Sequence, residues 1–167
     1  MINDISGPLL ANTIRVGGVV VGEDVKFSLP EVKPVTSEYP GLGKIELPVT
    51  GQYDTMELSI TKTGIDKFLS LLTSPESKKI EIRAAIDVLG ADGTKSAKGI
   101  KAFLTAIPNV FPKIDGEVGS QPEAEITFGV TRYQLYVDGA ESILIDKTAG
   151  IVRFDGKDYS QQINSLL

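Results

Sequence analysis

The chain has 167 residues, 41% of them hydrophobic and 23% charged, a size and balance at which one domain can bury roughly 70% of the surface its unfolded form exposes. Histidine and cysteine are both absent, which excludes disulfide staples, thiolate nucleophiles, Ser-His-Asp triads and zinc sites built on imidazole or thiolate. The formal charge is −5 and is shared by the two halves, nine cations against eleven carboxylates in residues 1–84 and eight against eleven in 85–167, so there is no basic lobe for gripping nucleic acid.

Met1-Ile2-Asn3-Asp4-Ile5-Ser6-Gly7-Pro8 lacks the basic start and apolar run of a signal peptide, and no stretch approaches the roughly 18 consecutive apolar residues of a membrane span. A soluble chain that is not exported by a signal is expected. Thr13-Ile14-Arg15-Val16 and, after Gly17-Gly18, the run Val19-Val20-Val21 read as strands. Val25, Phe27 and Leu29 alternate with Lys26 and Ser28 to give another, with Gly22-Glu23-Asp24 as a hairpin connection before it. From Pro30 to Gly51 the chain carries Pro30, Pro34, Pro40 and Pro48 with Gly41, Gly43 and Gly51. Missing donors and added freedom exclude a central strand or a helix there. Yet Ile45, Leu47 and Val49 alternate with polar residues and proline, and Val32 and Val35 precede the Tyr39-Pro40-Gly41-Leu42-Gly43 tip. The segment reads as a long arm, partly a hairpin, whose exposed apolar residues require a partner.

Glu57 to Thr61 resumes strand alternation, and Thr63 opens a helix with Asp66 as a capping-box residue. Ile65, Phe68, Leu69 and Leu72 form its single apolar stripe, which packs on a sheet, and Pro75 ends it. Ile80, Ile82, Ala84, Ile86 and Val88 keep period 2 up to a Gly90–Gly93 turn, and Ile100, Ala102, Leu104 and Ala106 return, giving a long hairpin. After a connection from Phe111 to Pro122, the apolar phase set by Ala124, Ile126, Phe128 and Val130 flips to Tyr133, Leu135 and Val137, the mark of a β-bulge between Gly129 and Thr131. Val137 to Ala140 is a turn, Ile143 to Ile145 and Ile151 to Phe154 are short strands, and a polar tail follows. About eight strands and one helix, without βαβ alternation, predict a mainly β, antiparallel sandwich or barrel with a packed helix and a protruding arm.

Carboxylates are the remaining source of catalytic chemistry. Glu123 and Glu125 share one face of a strand, but such alternation is what any half-exposed strand shows. Asp87, Asp92 and Asp115 lie near turns without the spacing of a calcium loop. Gly41-Leu42-Gly43-Lys44 lacks both the dinucleotide glycine spacing and the Gly-Lys-Ser/Thr ending of a phosphate loop. No catalytic, cofactor or metal residue and no small-molecule substrate are expected.

Taken in order, Phe27-Ser28-Leu29-Pro30, the arm from Tyr39-Pro40-Gly41-Leu42-Gly43 to Leu47-Pro48-Val49, the helix at Gly64-Ile65-Asp66-Lys67, and Thr131-Arg132-Tyr133-Gln134-Leu135-Tyr136-Val137-Asp138-Gly139 followed by Ile143 to Asp146 resemble the contractile phage major tail tube proteins, shared with tail-like R-type bacteriocins. The resemblance implies one tube domain over residues 1–167 with an inter-ring arm at about 30–51, formed by Tyr39, Pro40, Gly41, Leu42, Gly43, Ile45, Leu47 and Val49. It implies six-fold rings stacked into a hollow tube, with four strands per subunit completing a barrel across neighbours. The implied partners are further copies, the tail sheath protein, and baseplate and tail terminator proteins. DNA would pass through without specific binding, or the tube would act as a needle. The particle would be a virion tail or tail-like assembly put together in the bacterial cytoplasm. Net charge suggests an acidic or neutral channel, with Glu123 and Glu125 as lining candidates. A β-sandwich ligand-binding module and a type VI secretion tube are the alternatives. The absence of tryptophan and the 7% aromatic content argue against stacking platforms for sugars or bases.

Overall fold

The computed structural model describes residues 4–167. Among these residues there are twelve strands and two helices: β1 Asp4–Val16, β2 Val19–Glu23, β3 Lys26–Ser28, β4 Pro34–Gly41, β5 Gly43–Tyr53, β6 Met56–Thr63, α1 Lys67–Thr73, β7 Lys78–Gly90, β8 Lys95–Pro108, β9 Glu123–Val137, β10 Ala140–Asp146, β11 Ile151–Phe154, β12 Lys157–Asp158 and α2 Gln161–Asn164. The predicted antiparallel, mainly β class is what forms. The strands run in the order β12-β11-β10-β9-β8-β7-β1-β2, with β6 joined to β9, β3 joined to β6, and β4–β5 a separate two-stranded sheet.

Strand β9 is the pivot. Its first half, Glu123 to Val130, pairs with β6, and its second half, Arg132 to Val137, pairs with β10 along the same edge. The opposite edge pairs with β8 from Phe128 to Val137. Thr105 faces Arg132 while Ala106 faces Val130, so Thr131 is the extra residue of a bulge, and its hydroxyl donates to the Thr105 carbonyl at 3.2 Å. This is the predicted phase change. Ala124, Ile126, Phe128 and Val130 are buried before it and Tyr133 after it. Without one added residue, one half of the strand would turn its apolar side to water.

The sheet rolls around a single core that contains Ile14, Leu58, Ile60, Ile80, Ile82, Ile126 and Phe128. It does not close, because β2 and β3 end as separate edges. Lys62 bridges the gap: its ammonium is buried, donates to the Val21 carbonyl at 2.9 Å and pairs with Asp66 at 3.1 Å. Leu72 of α1 meets Ile14, Val21 and Ile60 in the same opening.

Three expectations change. Thr63 is the last residue of β6, and α1 is capped by Asp66, whose carboxylate accepts from the Phe68 amide at 2.9 Å. Ile65 therefore falls outside the stripe and is exposed, whereas Leu69 and Leu72 are buried. Gly22-Glu23-Asp24 is not a hairpin: β2 pairs with β1 while β3 pairs with β6. The chain changes neighbours there because the buried Asn12 amide donates to the Val25 carbonyl at 2.8 Å and its oxygen accepts from the Val25 amide at 2.9 Å, replacing a strand partner. The strand count rises from about eight to twelve, chiefly because both sides of the proline-rich arm form strands.

Burial works against ionisation of Asp66, but the Lys62 ammonium and the amides of Phe68 and Leu69 outweigh it and hold the carboxyl below its ordinary value. A depressed native pKa contributes stability above the unfolded value and loses it as pH falls through the native one. Asp66→Ala is expected to cost about 1 kcal/mol at neutral pH through the lost cap. In urea titrations the gap between wild type and variant should close below the ordinary carboxylate value of 3.8.

Candidate functional site

Three surface features are left incomplete by this fold. The first is the β4–β5 hairpin. Tyr39 faces Ile45, Ser37 faces Leu47 and Gly41 faces Gly43, with Leu42 at the fully exposed tip. Gly43 has φ 142°, a conformation glycine adopts without strain. Alternation puts Tyr39, Ile45 and Leu47 on one side, all three exposed. The other side is polar: Thr36 donates to Glu46 at 2.6 Å and Lys44 pairs with Glu38 at 3.6 Å. The hairpin is amphipathic, yet among the described residues its apolar side is left about half exposed at Tyr39, Ile45 and Leu47. Its base is tied down: the Asp54 amide donates to the Lys33 carbonyl, the Lys147 ammonium donates to the Asp54 carbonyl, and the Tyr53 ring meets Phe154 at 6.0 Å. The Gly41-Leu42-Gly43-Lys44 segment is thus a hairpin tip, with no helix after it to receive a phosphate.

The second feature is a pair of open edges. From Asp4 to Leu9, β1 pairs with β7 alone, because β2 joins only from Thr13 onward. From Lys95 to Lys98, β8 likewise pairs with β7 alone, because the Gly99 carbonyl already accepts from the Asp138 amide at 2.9 Å and β9 joins from Ile100. A three-stranded ribbon therefore extends past the core with unpaired backbone on both sides among the described residues, and Ile5, Leu9, Leu10 and Leu89 on it are exposed. Such an edge is a template for another strand.

The third is the outer face of β1, β7, β8 and the second half of β9. Cross-strand pairs place Arg15 beside Glu81 and Phe103, Arg83 beside Lys101, and Lys79 beside Thr105 and Arg132, with Asp87 and Lys95 farther along. Six cations thus meet two carboxylates on this face, leaving eleven cations against twenty carboxylates elsewhere in the chain. Arg83 pairs with Glu81, Lys95 with Asp87 at 3.4 Å, and Arg132 with Asp146 of β10 at 3.7 Å. Lys79 and Lys101 have no carboxylate within ion-pair distance among the described residues. The segregation is invisible in the sequence totals, because it arises from strand alternation across four separated segments.

Glu123 and Glu125 lie elsewhere, on the outer side of the β6–β9 layer. Glu125 accepts from Ser59 at 3.0 Å, and both line an open groove of about 770 Å³ with Val110, Asp115 and Glu117. Asp87, Asp92 and Asp115 are not brought together. Asp87 serves Lys95, Asp92 accepts from the Thr94 amide and hydroxyl in the β7–β8 turn, and Asp115 pairs with Lys113. Among the described residues no three acidic side chains assemble into a metal cage. Asn12 and Lys62, which decide where the sheet turns and stops, carry no motif that sequence reasoning could have singled out.

Open edges, an uncovered apolar hairpin and a charge-segregated sheet define a structural subunit whose surface is finished by other protein chains. The chain belongs to the phage tail tube protein FII family, whose model matches residues 11–167, and it is a structural tail tube subunit. Among solved structures, a chain of an extracellular contractile injection system, the PVC sheath-tube complex in its extended state, aligns at a TM-score of 0.54 with 20% identity, covering 78% of this chain and 91% of that one. A chain of the PVC sheath/tube terminator in its extended state aligns at 0.51 with 18% identity, covering 77% and 95%. At these identities the likeness is one of fold. No curated protein matches the chain significantly.

Two-stranded ribbons without a covering layer are marginal in water. In the unassembled subunit the amides of residues 36–47 are expected to exchange with solvent at least about a hundredfold faster than those of Ile80 to Ala84 in the core of β7. Hydrogen-exchange mass spectrometry reads this directly.

Proposed function

We propose that the chain works as a single unit that polymerises into six-fold rings stacked as a hollow tube. Residues 30–51, through Tyr39, Pro40, Gly41, Leu42, Gly43, Ile45, Leu47 and Val49, reach from one ring onto the next. The observation that carries this reading is the hairpin: it presents apolar side chains on a backbone anchored at its base, an arrangement that gains free energy only when another surface covers it. The four long strands β1, β7, β8 and β9 join across copies, so that the open edges of β1 and β8 acquire partners and a continuous barrel encloses the channel.

The outer face of those four strands lines the channel in this reading. Glu123 and Glu125 then sit on the outside of the tube, across the core from the lining. The lining is also richer in cations than the acidic or neutral one inferred from net charge. The tube is enclosed by a sheath protein and bounded by terminator and baseplate proteins, in keeping with the sheath–tube and terminator chains that share its fold. It is assembled in the bacterial cytoplasm and driven through a target envelope when the sheath contracts. The work is mechanical, and no enzymatic step is assigned to the chain, consistent with the lack of histidine and cysteine.

Deletion of residues 39–44 tests the arm. The expected product is a folded subunit with an unchanged circular dichroism spectrum that forms no stacked tubes in negative-stain images. Tubes of normal length and abundance would overturn the assignment. The lack of native cysteine allows the lining to be mapped separately. In assembled tubes a bulky maleimide polymer should label Glu123→Cys and spare Lys101→Cys, while a small maleimide labels both. The reverse pattern would put Glu123 inside.

A further inference from the structure

We propose that the short C-terminal helix α2 is a stop that fixes the angle of the arm, with Ile163 as the positioning residue and Gly51 as the point it bears on. The stop belongs to the single subunit. Its consequence, that Ile163 sets how one ring is turned against the next, rests on the reading that the arm joins rings.

The arm is built with a joint. Pro34 faces Tyr53 at its base and Thr36 faces Pro48 above, so Val35 alone stands opposite the four residues Val49 to Gln52. Such a bulge interrupts the ladder and bends the ribbon. Gly51 lies inside it at φ 77°, a left-handed conformation that glycine adopts without strain. Hinges are a few residues of this kind, able to absorb a change in φ and ψ. Below the joint the chain is held by the hydrogen bonds of Lys33, Asp54 and Lys147 and by the Tyr53–Phe154 contact, and above it there is only the two-stranded ribbon. Two open spaces adjoin the joint. One of about 290 Å³ lies among Val35, Gly51, Ile145, Gly150 and Val152, and one of about 760 Å³ lies between Thr50 and the corner where β12 meets α2. The joint therefore has room to move.

Helix α2 supplies the brace. A Cβ on Gly51 would come within 3.1 Å of Ile163 Cδ1, so the isoleucine approaches as closely as glycine permits. Four residues do not hold a helix by themselves. This one is stitched to the body: the buried Ser160 hydroxyl donates to Asp158 at 2.6 Å and accepts from the Val152 amide at 3.2 Å, and Asp158 also accepts from the Gln161 amide at 3.2 Å. The Asn164 side chain donates to the Gly150 carbonyl at 3.4 Å. A fixed support thus meets a bendable strand through one aliphatic side chain. Beyond the joint the ribbon spans about 20 Å, so a rotation of about 15° carries its tip about 5 Å.

The absence of native cysteine allows spin labels to be placed singly. Lys44→Cys near the tip is paired with Lys26→Cys on β3 and, separately, with Lys101→Cys on β8, and pulsed electron–electron double resonance reads both distances in unassembled subunits. With Ile163 in place each pair is expected to give one dominant distance. Ile163→Ala should broaden both distributions, Ile163→Leu should leave them near wild type, and Ile163→Phe should displace at least one mean by about 5 Å. Deletion of Leu166 and Leu167, which are exposed beyond the contact, should change neither. All variants should keep the wild-type circular dichroism spectrum, because Ile163 lies outside the core. Distributions that are broad from the start, that ignore both Ile163→Ala and Ile163→Phe, or that respond equally to loss of Leu166 and Leu167 overturn the inference. Helical reconstruction of assembled tubes then reads the rotation between rings. A changed rotation in Ile163→Phe supports the consequence for the tube, whereas shifted distances with an unchanged rotation sink that consequence alone.

Discussion

The architecture depends on one strand serving two neighbours on the same edge. β9 gives its first half to β6 and its second half to β10, and the single unpaired residue at Thr131 permits both halves to keep their apolar side inward. A bulge adds twist as well as a residue, so the sheet is bent into a roll at the point where its pairing changes. The roll places β6 across the core from β1 and β2, leaves a seam between them, and makes the buried Lys62 and the short α1 necessary to stop it. Edges, arm and charged face all follow from where that roll ends.

Stopping short of closure is unusual for an exposed antiparallel sheet, since an unpaired edge is a site of unwanted association. Besides the short β2 and β3 where the roll stops, two long strands, β1 and β8, leave open stretches past the core, where their hydrogen-bonding capacity contributes little to the isolated subunit. The same geometry divides the charge. Alternation along β7, β8 and β9 sends one set of side chains into the core and the other to a face that is positive in an otherwise acidic chain. Its polarity is part of the fold, because shifting any of these strands by one residue would exchange core and surface.

Much of this is legible in the sequence. The period-2 runs in β7, β8 and β9 identified the long hairpin and the bulge, because a phase flip in apolar residues has few other causes. The arm was visible as prolines interleaved with Ile45, Leu47 and Val49, a pattern neither a linker nor a core strand produces. The errors have physical reasons as well. Thr63 mimicked a cap because a β-branched polar residue suits both a strand end and a helix start, and the Lys62–Asp66 pair that decides between them joins the helix start to a strand. At Gly22–Asp24, glycine and aspartate signal a change of direction without saying which strand is reached, and that choice lies with Asn12, ten residues upstream. The charged face does not show in the sequence, because charge totals average over the two sides of every strand.

The prolines of the arm bear on how such a subunit survives before it is used. Pro34, Pro40 and Pro48 each remove a backbone donor from the β4–β5 ribbon, so neither border of the hairpin can recruit an endless succession of identical strands. In the proposed tube, attachment then proceeds through Tyr39, Leu42, Ile45 and Leu47 on a shaped receptor and not through backbone pairing with whatever chain is nearby. If the proposed assembly holds, a pool of such subunits keeps its sticky side chains without polymerising through its backbone, and growth waits for the end of a correctly formed template.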